Sequence, residues 1–215
     1  MKLYNYWRSS ASWRVRIALA YKNVAYEYVA VDIKPGVAQQ NAAPYQKLNP
    51  MQQVPTLVLD DGRQLAQSMA ILEYLEETVP RPALLPADPW LRARARQLAE
   101  LVNAGIQPFQ NLPTMARVSE LGGDAKEFVR GYIARGLDAL EASAEATAGT
   151  FLVADAPSFA DVCLVPQLNA ARRFELDPAR WPLLARVEEA CLRLQPFQTA
   201  HADRQPDAVV EGAKK

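Results

Sequence analysis

A single histidine, His201, and only two cysteines, Cys163 and Cys191, among 215 residues remove whole classes of chemistry from consideration. One imidazole beside Ala200 and Asp203 supports neither a Ser-His-Asp arrangement nor a metal site, so His201 is expected to be structural or at the surface. The cysteines form no CxxC and sit in apolar, helix-like stretches, which points to buried thiols rather than a disulfide framework or a zinc site. Net charge is also absent. Lys plus Arg equals Asp plus Glu at 24 each, and residues 1–80 alone carry 8 basic and 7 acidic groups, so nothing marks a nucleic-acid binder. No apolar run approaches the length of a membrane span, and Met1–Tyr6 lacks the apolar core of a signal peptide; a soluble, cytoplasmic protein that does not engage membranes is expected. Gly122-Gly123 is no phosphate loop, there is no internal repeat, and Trp7, Trp13, Trp90 and Trp181 are expected in packing.

What is present is apolar surface, half of all residues, enough for a sizeable core. Residues 2–6 and 26–32 are rich in aromatic and β-branched types, whereas Trp13–Tyr21 between them is rich in Ala, Leu and Ile. Trp13-Arg14-Val15-Arg16-Ile17 alternates like a strand, but Ala18-Leu19-Ala20 favours helix, and helix is the reading taken. A mobile-looking stretch, Lys34 to Pro50, precedes the short run Thr56–Leu59. Asp60-Asp61-Gly62 reads as a hairpin turn before Gln64-Leu65, and Ser68–Thr78 as an amphipathic helix. The order β-α-β-α-β-β-α is the thioredoxin-like layout.

Residues 79–89 hold four prolines in eleven positions, which forbids a continuous helix or a central strand. The chain is therefore divided into a thioredoxin-like domain at 1–80, a linker at 81–89 and an all-helical domain at 90–215: α/β followed by all-α. In the second domain Leu91, Ala95, Leu98, Val102, Ile106 and Phe109 step by three or four, and further helices are expected over Lys126–Ala146, Ser158–Phe174 and Ala179–Leu194. Ser158 with Asp161 three residues on resembles a capping box, a folding signal without chemistry. The polar tail Asp203–Lys215 is expected to fray.

Three short motifs carry the chemistry. Pro55, heading a strand after the turn-prone Asn49–Gln53, is placed for a cis X-Pro bond that would present the N–H and C=O of Val54 to a ligand strand. Gln67 and Ser68 open the next helix, where side-chain and backbone donors can meet a carboxylate. Arg8-Ser9-Ser10 lies where the first strand gives way to the first helix, so hydroxyls and unpaired N–H groups gather there.

Val54-Pro55 and Gln67-Ser68, in that order on this two-domain layout, resemble the cytosolic glutathione transferases over essentially the whole chain. Within them, Arg8-Ser9-Ser10-Ala11-Ser12-Trp13-Arg14-Val15-Arg16-Ile17-Ala18-Leu19 resembles the zeta-class signature, with Leu48–Pro55, Gly105–Asn111 and Arg204–Asp207 as its companions. One departure stands out: Ala11 replaces the usual cysteine. The resemblance implies glutathione as cofactor, bound by Ser9, Ser10, Gln40, Val54, Pro55, Gln67, Ser68, Gln107 and Asn111. It implies a homodimer and a small carboxylate substrate. The activity it implies is glutathione-dependent cis-trans isomerisation of maleylacetoacetate, with transfer, maleylpyruvate isomerisation, dehalogenation, or a non-catalytic binding module as alternatives.

The residue chemistry agrees with a thiol site. An unperturbed thiol of pKa about 8.5 is only slightly ionised at neutral pH, so a nucleophilic one needs stabilisation. Ser9 or Ser10 at a helix start can supply it. The dipole contributes about 0.3–1 kcal/mol and a charge-assisted hydrogen bond about 1.5–3 kcal/mol. Arg8 and Arg173 are the candidates for gripping a carboxylate and an enolate oxygen, because guanidinium forks match such groups. Gln107 and Asn111, four apart, are expected on one helical face, with Pro108 kinking the helix between them. No metal is expected.

Overall fold

The computed structural model describes residues 1–209. The chain divides into two compact units, Met1–Pro82 together with the segment from Gln195 onward, and Ala83–Leu194.

The first unit is built on a four-stranded sheet. Its strands β1 (Lys2–Asn5), β2 (Glu27–Ala30), β3 (Thr56–Val58) and β4 (Gln64–Ala66) lie in the order β2-β1-β3-β4. β1 runs parallel to β2 and antiparallel to β3, and β3 antiparallel to β4. Leu3 and Leu57, cross-strand partners, are fully buried. Gly62, at φ +84°, closes the expected hairpin, a conformation that disfavours any residue with a Cβ. The helices are α1 (Ser10–Tyr21), α2 (Ala43–Leu48) and α3 (Ser68–Thr78). α1 is covered on nearly all sides, with Trp13, Val15, Ile17 and Leu19 at 2% exposure or less.

Covering α1 all round explains why its pattern looked ambiguous: even Arg14 and Arg16 are buried, so no polar face marks a helical period. The two guanidiniums are two positions apart, about 200° around the helix, and emerge on opposite sides. Lys22, the C-cap of α1, is buried too. Its ammonium pairs with Glu76 at 2.7 Å and donates to the carbonyls of Val79 at 2.7 Å and Pro82 at 2.9 Å.

The stretch Lys34–Pro50 contains a 3-10 turn, Gln39–Asn41, and α2. The tail is held as far as Ala208 rather than frayed: a turn at Ala202–Arg204 is followed by Asp207, which accepts hydrogen bonds from the Trp7 N–H and the Tyr28 hydroxyl, and the Ala208 N–H donates to the Gln205 carbonyl. Residues 210–215, the rest of the tail expected to fray, lie outside the described residues. The chain from Gln195 clusters with the first unit instead of the helical one, because its last helix packs on α1.

The second unit is helical: α4 (Pro89–Asn103), α5 (Leu112–Glu120), α6 (Ala125–Ala144), α7 (Phe159–Arg173) and α8 (Pro182–Leu192). The remaining α-helix among the described residues, α9 (Gln195–Thr199), belongs to the first unit. α7 is the central helix, buried continuously from Phe159 to Leu168. Its start is tightly knit. Asp161 accepts from the Ser158 N–H and hydroxyl and from the Leu152 N–H, all at 2.8 Å. Burial outweighs these bonds and raises the Asp161 carboxyl to about 6. On α6, Glu141 receives the N–H groups of Leu183 and Leu184 at the start of α8. The expected run from Leu91 to Phe109 breaks after Asn103, because Gly105 and Pro108, which lacks an N–H, cannot carry the helix on; a 3-10 turn at Gln107–Gln110 follows. Of the four tryptophans, Trp13 and Trp181 are buried, whereas Trp90, at the start of α4, is 67% exposed and so packs little.

Candidate functional site

Sheet register brings four loops to one end of the first unit. Asn5, the last residue of β1, pairs with Ala30, the last of β2; Tyr4 pairs with Thr56, the first of β3; and Thr56 pairs with Ala66, the last of β4. The segments carrying Arg8-Ser9-Ser10, Gln40, Val54-Pro55 and Gln67-Ser68 therefore all leave the sheet at this end, on strands about 4.8 Å apart.

Ser9 is the N-cap of α1, and its Oγ accepts the Ser12 N–H at 3.2 Å. Its hydroxyl proton remains free to donate. Ser10, the first helical residue, is 9% exposed, and its hydroxyl makes no hydrogen bond among the described residues. The N–H groups of Ser10 and Ala11 have no intrahelical partner, as at any helix start. Arg8 is exposed, with its guanidinium carbon 5.6 Å from the centre of the Trp7 ring.

The Val54–Pro55 bond is cis, as expected. Neither the N–H nor the C=O of Val54 is used in a hydrogen bond among the described residues. The carbonyl just before it, that of Gln53, is held twice, by the Tyr45 hydroxyl and by Asn49 Nδ2, each at 2.7 Å. The loop is therefore fixed from behind, and the Val54 edge stays open. Gln67 is exposed and sits at φ +69°, a conformation unfavourable for a residue with a side chain and one that concentrates where geometry serves function. Ser68 follows, buried, its Oγ accepting from the Arg14 guanidinium at 3.2 Å. Gln40 is half-buried, with Oε1 lacking any partner among the described residues.

Three sequence candidates belong to the second unit. Gln107 Nε2 donates to Asn111 Oδ1 at 2.7 Å, so the pair meets as expected, but across a 3-10 turn: Asn111 is extended and precedes α5 instead of sharing a helix face. Beside them Phe109 stacks on Tyr132 at 3.8 Å. Arg173 is exposed at the C-terminal end of α7. His201 has a structural place, its ring 4.8 Å from that of Trp13 and its Nδ1 accepting the Asp203 N–H. Both cysteines are buried, and burial pushes the Cys191 thiol up. No cluster of metal-ligating side chains occurs among the described residues.

The chain matches the family model of the glutathione S-transferase N-terminal domain over residues 1–77 and that of the C-terminal domain over residues 118–194. It belongs to the glutathione S-transferase family. Among relatives of this transferase is the maleylacetoacetate isomerase of Rattus norvegicus, 46% identical, with 97% of this chain and 95% of the relative covered. Among solved structures, the maleylacetoacetate isomerase of Anaeromyxobacter dehalogenans with bound glutathione in its active site is 55% identical, at a TM-score of 0.88 over 97% of each chain. A zeta-class maleylpyruvate isomerase is 40% identical, at a TM-score of 0.92 over 97% of this chain and all of the other.

Two further residues stand at the sheet end, Arg14 and Arg16, to which the sequence assigns no role. Arg14, buried behind Ser68, places positive charge at the start of α3. Arg16, buried on the other side of α1, donates to Asn5 Oδ1 and to the carbonyls of Tyr6, Trp7 and Ala200. Burial lowers Arg16 to about 10, so it stays charged at neutral pH. The available signal was two arginines inside an otherwise apolar helix, which demand buried acceptors. Tyr45 and Asn49 gave no such signal, since their role depends on a carbonyl eight and four residues away.

Proposed function

We propose that this chain is a glutathione-dependent cis-trans isomerase that converts 4-maleylacetoacetate to 4-fumarylacetoacetate in tyrosine and phenylalanine breakdown. Its near-full-length likeness to proteins named maleylacetoacetate isomerase carries this reading.

The open polar atoms of the first unit fit the tripeptide. When bound, glutathione supplies the nucleophile, a thiol that adds reversibly to the cis double bond. Ser10, with its hydroxyl unbonded, and Ser9 would hold the sulfur's negative charge, helped by the free N–H groups at the start of α1. Val54 would pair with the peptide backbone through its unused N–H and C=O, with Pro55 setting that edge. Gln67 and Ser68, backed by Arg14, would take a carboxylate, and Gln40 the glycyl end. Arg8 would grip the substrate carboxylate or the enolate oxygen, a task assigned to Arg173 as well; Gln107 and Asn111 would add polar contacts. Ala11 leaves no protein thiol in the loop, which the isomerisation does not require.

A second reading, maleylpyruvate isomerase, is favoured by the likeness to the zeta-class enzyme of that name. Dehalogenation is disfavoured by Ala11, because a protein thiol is what would resolve a glutathione adduct. A non-catalytic module is disfavoured by donors left open where a purely structural loop would satisfy them. A cytoplasmic homodimer completes the proposal; among the described residues no helix is long and apolar enough to cross a membrane. Loss of the cis form of maleylacetone, followed with protein and glutathione together, tests the main reading. Turnover no faster than with glutathione alone refutes it, and a larger kcat/KM for maleylpyruvate selects the second reading.

A further inference from the structure

The loop between β1 and α1 is gripped by the far end of the chain. Asp207 Oδ2 accepts the Trp7 N–H at 3.1 Å, while its Oδ1 accepts the Tyr28 hydroxyl. The Trp7 carbonyl, on the opposite side of the same residue, accepts from Arg16 at 2.7 Å, and Arg16 reaches back to the Ala200 carbonyl. Gln205 ties the tail to itself through the carbonyls of Thr199 and His201. Trp7 is thus held at both its N–H and its C=O, its ring lies against Arg8, and the Ser9 N–H donates to the Tyr6 carbonyl beside it.

We propose that Asp207 is a positioning residue for the reacting loop: by holding the Trp7 N–H it sets the backbone on which Arg8, Ser9 and Ser10 stand, so the C-terminal segment governs the reactivity of the sulfur site. This rests on the glutathione reading of that site. The carboxylate suits the task. It is a strong acceptor for two donors at once, and Tyr28, its pKa raised by burial and then by the hydrogen bond to Asp207, keeps its proton to donate. The charged group facing the latch is Arg16 on α1, and the titratable Tyr26 and Tyr28, their pKa values raised by burial, stay neutral beside it.

The first test needs no ligand. In Asp207→Ala, the amides from Trp7 to Ser12 exchange with solvent about tenfold faster or more, while those around Leu57 and Leu72 keep their rates. Equal exchange in the loop overturns the proposal whatever the protein catalyses. With maleylacetone, Asp207→Ala lowers kcat about tenfold with the KM for glutathione within about threefold. The pH at which bound thiol ionises, read from thiolate absorbance, rises by about one unit. Asp207→Asn, which keeps an oxygen for Trp7, recovers most of the rate. Tyr28→Phe leaves the Trp7 bond in place and changes kcat less than about threefold. Unchanged kcat in folded Asp207→Ala, or a loss in Tyr28→Phe equal to that in Asp207→Ala, overturns the proposal. Wild-type protein without turnover refutes the isomerase alone, because loop exchange still decides the role of Asp207.

Discussion

Two helix starts in this molecule use serine in opposite ways. At the start of α7, the Ser158 N–H and hydroxyl and the Leu152 N–H all end on one buried carboxylate, and the Phe159 N–H donates to the Leu84 carbonyl. At the start of α1, Ser9 closes a single capping bond, while the Ser10 hydroxyl and the first N–H groups remain open. The closed start stabilises a fold; the open one forgoes that stabilisation and keeps donors aimed outward. Satisfaction of polar groups, more than residue type, separates a structural cap from a site.

Breaking the closed start has the largest expected effect. Asp161→Ala strips partners from three buried donors and costs about 3–5 kcal/mol in chemical denaturation, with the surviving folded fraction retaining its kcat. Titrating the same group comes next. Its folded value, raised from 3.8 to about 6, means the folded protein holds the proton more tightly. Stability from this group is full below the unfolded value and is lost as pH rises through the folded one, a change of about 3 kcal/mol. Asp161→Asn removes that slope, which denaturation curves at a series of pH values read directly.

Effects at the open start are smaller and fall on rate. Ser10→Ala leaves stability within about 0.5 kcal/mol and glutathione affinity within a few-fold, yet raises the barrier by about 1.5–3 kcal/mol, measured as kcat on maleylacetone. Ser9→Ala costs about 1 kcal/mol of stability through the lost cap. The serine whose loss lowers kcat without moving the unfolding midpoint is the one that serves the sulfur. Both effects falling on Ser9 would reverse the assignment of open and closed roles within α1.

Short motifs made the sheet end of the first unit legible before the structure. Pro55 at a strand head, Gln67-Ser68 at a helix start and Ser9-Ser10 after β1 are local signals, and strand register then gathers them. What escaped was long-range. Arg14 and Arg16 blurred the period of α1 because their acceptors, Ser68 and the Tyr6, Trp7 and Ala200 carbonyls, come from other segments. Asp207 stood in a family motif but in a tail expected to fray, because its donors lie 200 and 179 residues away. The run ending at Phe109 was misread as helix because side-chain spacing ignores the backbone donor missing at Pro108.

Lys22 has a practical consequence. Amine-directed reagents need an accessible, deprotonated nitrogen, and this one is enclosed by Glu76, Val79 and Pro82 with its side chain at 0% exposure. Chemical tagging of Lys22 therefore reports opening of the first unit, while surface lysines such as Lys2 and Lys126 register reagent alone.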